Sequence, residues 1–441
     1  MSVLKIAIKS SVGKMSSVIL DIVRNILFIK VLSVENFAIL SLGNSLVQSN
    51  KYLDFGFASK FLIDSYDGRF TELEAKQIFY SIVIFEAFLL TIVGFGCLLL
   101  MSFFDMSPEV DGLPLSAGLT LPIMVLLAFF LGRMYKLSLI WRRHKKKFVN
   151  IAKLEFIFSG SLLACSFLIL VVDFAIFASS YFFIQGILFL AYSVTIFKIF
   201  PGTRKNFRWL LENLRPSLLL TSATVIYGLS FYFDRFILLN YFGLTEIGNY
   251  AFLLFILNVG AAVITYGVQP IRAHIAASIT LSDSLARQNI VTNICKMAGL
   301  YILVVGMIAI HILAPAVLAV LNNFFGKYGA AIMDVRGVFN ILLTLPVLYL
   351  LGYLVVSKPY SNTEIFSLSQ FSGITCVAII FLMRGPNDSI YAVLLMGIFF
   401  GNLLKILIYA LVIIKQEKWG YQSLYQFLLL IPFFMVPIFQ T

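Results

Sequence analysis

No stretch of this 441-residue chain is polar enough to fold as a soluble domain. Only 12% of its residues are Asp, Glu, Lys or Arg, about half the share of an ordinary soluble domain. Histidine is almost missing, and His144, His274 and His311 lie far apart. The four cysteines, Cys97, Cys165, Cys295 and Cys376, are each isolated inside an apolar run. Neither disulfide nor metal-ligand spacing is present, so the sequence gives no reason to expect a metal or a cofactor. The N-terminus lacks the unbroken apolar core of a cleavable signal, because Lys5, Lys9, Lys14 and Asp21 interrupt it. Sizeable outer loops are absent too. None of the short connections offers a carboxylate–histidine or paired-aspartate site, which speaks against a polytopic polymerase or glycosyltransferase and against an enzyme in general.

What the chain does have is hydrophobic residues, 60% of the total. Apolar runs of membrane-spanning length recur from end to end. Twelve spans are predicted, centred near Ile22, Gln48, Leu90, Leu127, Cys165, Ile187, Tyr227, Leu257, Val304, Thr344, Ile374 and Gly401. A further apolar stretch from Leu424 to Phe439 is short and carries Pro432 and Pro437, and the sequence leaves open whether it crosses. The expected fold class is an all-α polytopic membrane protein. The net charge of +12 could suggest a nucleic-acid surface, but its distribution reads as topology. With the N-terminus inside, the basic runs Trp141–Lys147 and Lys198–Arg215 fall in inner loops. The outer loops are left with Lys327, Arg336 and Arg384. That asymmetry places the N-terminus in the cytoplasm and favours a topology signal over a nucleic-acid or partner surface at 141–147, so no nucleic-acid partner is expected.

The basic loop from Ile199 to Pro216 divides six spans from six. Six is even, so both halves enter the membrane in the same sense, as parallel repeats around a cleft. The expected lobes are residues 1–205 and 206–415, with 416–441 as a C-terminal segment. Polar residues concentrate in matching spans of the two halves. In the first span Lys14, Ser17, Asp21 and Arg24 share one helical face. The second carries Asn44, Gln48 and Lys51, with Asp54 nearby. The seventh holds the adjacent pair Asp234 and Arg235, the eighth Asn258, Thr265, Gln269 and Arg272, and the twelfth Asn402 and Lys405. Elsewhere Glu86, Glu155, Arg133 and Lys136 are the main exceptions to an apolar pattern. Charges inside a bilayer are costly and turn towards each other or towards water. Single polar residues could simply join helices by hydrogen bonds, and Asp21 with Arg24 could be a private ion pair. Four aligned stripes favour a hydrated cleft with a basic inner mouth, suited to an anionic cargo.

Several stretches carry a family resemblance. They are Phe233–Tyr250 (FDRFILLNYFGLTEIGNY), Ser33–Leu40 (SVENFAIL), Leu53–Phe57 (LDFGF), Tyr266–Pro270 (YGVQP) and Phe325–Tyr328 (FGKY). Together they resemble the polysaccharide-export branch of the multidrug/oligosaccharidyl-lipid/polysaccharide (MOP) exporter superfamily, most nearly the Wzx-type flippases of O-antigen repeat units. Ala38 departs from the family's usual glycine. The resemblance implies about twelve transmembrane helices in two parallel six-helix lobes around a central cavity. It also implies a bacterial inner-membrane protein that moves an undecaprenyl-diphosphate-linked oligosaccharide from the inner to the outer leaflet. Its partners would be that lipid, the lipid bilayer, the polysaccharide polymerase and the chain-length regulator. The positions that match the family's cationic residues are Arg24, Lys51, Arg235 and Arg272. Lys405 is a further candidate, with Asn44, Gln48, Asn258 and Gln269 for sugar hydroxyls. Asp21, Asp54 and Asp234 are candidates for ion coupling or charge pairing. The competing reading is a cation-coupled small-molecule (drug) antiporter of the same superfamily, which would favour an acidic, aromatic-lined pocket.

Overall fold

The structure is a computed structural model that describes residues 3–50, 56–66, 70–103, 115–145, 147–197, 206–215, 217–218, 221–222, 225, 234–235, 237–238, 241–281, 289, 293, 314–356, 363–385 and 389–417. Among the described residues it is 92% helical, with no strand. An apolar chain in lipid has no water to satisfy its backbone, and a helix satisfies each amide within its own segment. Seven helices among the described residues are long and apolar enough to cross a membrane. The expected spans centred on Tyr227 and Val304, and the stretch 424–439, lie outside the described residues.

By internal packing the chain forms two compact units, Met1–Val225 and Ile226–Thr441. The first unit contains α1 (Val3–Val31), α2 (Val34–Ser49), α3 (Phe57–Tyr66), α4 (Glu72–Phe103), α5 (Leu115–His144), α6 (Phe148–Ser166), α7 (Phe174–Phe197) and the short α8 (Phe207–Glu212). Local chemistry fixes several of the starts. Ser33 caps α2 by accepting from the Asn36 amide at 3.2 Å, and Glu35 in the first turn suits the positive end of the helix. Thr71 and Glu74 form a capping box at α4: the Thr71 amide donates to Glu74 Oε2 at 2.8 Å and the Glu74 amide to Thr71 Oγ1 at 3.3 Å.

Two span centres shift. Gln48 sits in the last turn of α2, which ends at Ser49 with Asn50 as its C-cap, and α3 opens only after Gly56. Cys165 is near the end of α6, which tightens into a 3₁₀ turn at Phe167–Leu170. At one end of the unit Phe57, Phe61, Phe79, Trp141, Trp209 and Leu210 form a buried cluster that ties α3, α4, α5 and α8 together. Residues 206–217 thus pack with the first unit, although the basic loop before them reads as the divide. Gly56 makes this possible. Its φ is +74°, and a Cβ there would lie 1.9 Å from the Ser217 carbonyl oxygen. Gly56→Ala is expected to lower stability by roughly 1–3 kcal/mol, from the left-handed strain and the forced retreat of Ser217, read as a drop in the unfolding midpoint of the purified protein.

The second unit contains α9 (Leu244–Leu281), α10 (Ala314–Phe325), α11 (Gly329–Ile332), α12 (Val335–Val356), α13 (Thr363–Leu382) and α14 (Ile390–Glu417). The helix α14 packs on both α12 and α13. Its approach to α13 is close enough that a Cβ on Gly401 would lie 2.8 Å from the Gly373 Cα. Small residues at such a seam let membrane helices gain dispersion contacts in place of a hydrophobic drive that lipid cannot supply.

Candidate functional site

In the first unit α1 brings Ser17, Asp21 and Arg24 onto one face. Ser17 and Arg24 are each 8% exposed, buried among neighbouring helices, while the Asp21 side chain keeps 41% of its surface open. Arg24 Nη1 lies 3.0 Å from Asp21 Oδ1, one turn away. Asp21 also takes a hydrogen bond from Ser159 on α6, and its carbonyl accepts from Asn25 Nδ2 at 2.8 Å. Asn44 on α2 accepts a long hydrogen bond, 3.5 Å, from the Tyr181 hydroxyl on α7. Tyr181 in turn lies within electrostatic reach of Arg24 and Asp21. Edge-to-face contacts from Phe28 to Phe177 and Tyr181 hold α1 against α7 at this level. Side chains from α6 and α7 thus gather around the Asp21–Arg24 pair of α1, and Asn44 of α2 joins them through Tyr181.

The Arg24 guanidinium is only partly used. Its contact with Asp21 is one-sided, and the buried Nε has no hydrogen-bond partner among the described residues. Arginine binds oxyanions best through two parallel N–H groups. A buried, positively charged donor of this kind suits a phosphate or carboxylate oxygen. Gln48 is exposed at the end of α2, four residues on from Asn44. Lys51 and Asp54, and the side chain of Lys14, lie outside the described residues.

In the second unit Asp234 is 3% exposed and fully engaged. One carboxylate oxygen accepts from the Tyr250 hydroxyl and the other from the Arg235 amide at 2.8 Å. The Arg235 guanidinium is electrostatically coupled to the same carboxylate. Asn258 is exposed on α9. Gln269 and Arg272 fall on the same helix, with side chains outside the described residues. Lys405 is found elsewhere, in the packing of α12, α13 and α14, at 7% exposure. Asn402, one turn before it, donates to Thr344 Oγ1 at 3.1 Å. One turn after it, the Tyr409 hydroxyl meets Ser369 at 2.9 Å and Gln370 at 3.0 Å. Cys376 on α13 is the titratable neighbour of the ammonium, and no carboxylate pairs with it among the described residues.

Sequence spacing alone missed Ser159, Tyr181 and Tyr250. Each is a hydroxyl on another helix or a later turn, and periodicity within one span carries no signal for such partners. Among the described residues no three His, Cys, Asp or Glu side chains come together as metal ligands.

The sequence matches no protein-family model and no curated protein. The fold does have counterparts of known structure. The inward-facing conformation of a multidrug resistance MATE family transporter of the MOP superfamily superposes with a TM-score of 0.69 at 12% identity, covering 92% of this chain and 98% of that one. The lipid II flippase MurJ in an inward closed conformation gives 0.66 at 14% identity, covering 98% of both chains. The Vibrio cholerae MATE transporter VcmN gives 0.57 at 12% identity, covering 96% of this chain and 97% of that one. At these identities the likeness concerns the fold. The chain has the all-α, multi-pass MOP fold over nearly its whole length.

Proposed function

We propose that this protein is a flippase for an anionic lipid-linked oligosaccharide, of the undecaprenyl-diphosphate class, acting by alternating access in a bacterial inner membrane with its N-terminus in the cytoplasm. The observation that carries the reading is Arg24: buried, held by Asp21 on one side, and with Nε lacking an acceptor among the described residues. In a site of low dielectric a charge-assisted bond from that group to a diphosphate oxygen would be strong. Arg235, Lys51 and Arg272 would supply further positive charge, and Asn44, Gln48, Asn258 and Gln269 would meet sugar hydroxyls. Asp21 and Asp234 would keep their arginines oriented, and Asp54 is assigned with them. The fold match to the lipid II flippase makes a lipid-linked cargo compatible with this architecture, and the matches to MATE transporters do the same for a drug antiporter.

Cells whose own repeat-unit flippase is deleted, complemented with this chain, separate the two. Arg24→Ala and Arg235→Ala are expected to abolish surface polysaccharide while protein levels in the membrane stay unchanged. Normal polysaccharide from both variants would remove the cationic site from the mechanism. Ethidium efflux from cells expressing the wild-type chain, without restored polysaccharide, would establish the antiporter instead.

A further inference from the structure

The segment that leads out of the first unit presents three faces of different chemistry. Residues 207–215 and 217–218 make helical turns: the Asn213 amide donates to the Trp209 carbonyl and the Ser217 amide to the Asn213 carbonyl, both at 3.0 Å. One face is riveted to the unit. Trp209 and Leu210 are buried in the aromatic cluster, with Trp209 at 6.5 Å from the Phe57 ring and 6.1 Å from Phe70, and Ser217 is buried against Gly56. A second face is charged. Arg208, Glu212 and Arg215 are all exposed, and Arg208 Nε meets Glu212 Oε1 at 2.8 Å with 88% and 57% of their side chains open. Such a surface pair holds its partners weakly.

The third face is a row of large apolar side chains at spacings of four, three and four. Phe207 is 41% exposed, Leu211 74%, Leu214 41% and Leu218 51%. A contiguous row of this size is costly in water and implies a cover. The charge beside it says which cover. Arg208 and Arg215 flank the row, Arg204 and Lys205 precede it in sequence, and Glu212 is the sole acid from 204 to 218. Apolar side chains on one side and a surplus of arginine on the next is the pattern of a helix lying in a membrane interface, with its bases among lipid headgroups.

We infer that residues 208–215 together with Leu218 form a docking surface for anionic phospholipid: the row Leu211, Leu214 and Leu218 enters the acyl boundary, and Arg208 and Arg215 bind headgroup phosphates. Because Trp209 anchors the same turns to the first unit, the headgroups fix the connector through which the chain passes to the second. The inference does not depend on which cargo the protein carries. It is tested on the purified full chain in mixed micelles, with phosphatidylglycerol or phosphatidylcholine added, by thermal unfolding. A ligand that binds only the folded state raises the midpoint. Phosphatidylglycerol is expected to raise it by roughly 3–5 °C more than phosphatidylcholine. The paired substitutions Arg208→Glu with Arg215→Glu, and Leu211→Ser with Leu214→Ser, all at exposed positions, should each erase that preference. No preference in the wild-type chain, or a preference that survives in either variant, overturns the inference.

Discussion

Glu86→Ala is expected to destabilise the first unit by about 3–5 kcal/mol, enough to leave little folded protein after extraction. Glu86 on α4 and Arg133 on α5 are 0% and 2% exposed at their side chains. Arg133 Nε and Nη2 both reach Glu86 Oε2, at 2.7 and 2.6 Å. The pair couples two membrane helices through charges that lipid cannot solvate. Removing the carboxylate leaves the guanidinium buried without its counter-charge, and this desolvation sets the size of the loss. Arg133→Ala should cost a similar amount for the converse reason. The two losses should not add, because they are the same broken pair. A double replacement by apolar residues of similar volume, Glu86→Leu with Arg133→Met, is expected to recover most of the stability, since no charge is then left stranded. The unfolding midpoints of the four proteins in detergent decide it. Equal damage in the single and double variants would mean that packing volume, and not charge pairing, holds α4 to α5.

That pair also shows what the sequence could and could not disclose. Glu86 and Arg133 stand out in an otherwise apolar pattern, but 47 residues separate them, and only folding brings them into contact. The fold class was legible because a bilayer leaves an apolar chain few alternatives to helices. Where placement follows helical spacing it was legible too: Ser17, Asp21 and Arg24 share a face because positions three and four apart must. Tyr250 reaching back to Asp234 crosses from one helical segment into the next, and no single-helix period predicts it. The shift of Gln48 to the end of α2 has a local cause. Asn50 closes that helix and Gly56, at positive φ, starts the next, so a run that reads as one apolar stretch holds two separate helices.

Lys405 gives the second large effect, and its sign is opposite. Lys405→Met is expected to raise stability by about 1–3 kcal/mol, because an apolar side chain of similar length removes a buried charge that no described carboxylate offsets. Asn402 would keep its bond to Thr344, and Tyr409 its bonds to Ser369 and Gln370, since none of these uses the ammonium. The packing of α12, α13 and α14 would therefore survive and lose only its unmatched charge. A residue that costs stability where it stands is retained for activity or not at all. If Lys405 serves the anionic cargo, Lys405→Met should give a more heat-resistant protein that no longer restores surface polysaccharide, and Lys405→Arg should keep part of that activity. Unfolding midpoints and polysaccharide levels measured on the same variants separate the roles. A Met variant that is less stable than wild type would show the ammonium to be a structural donor. One that is more stable and fully active would remove Lys405 from the cargo site.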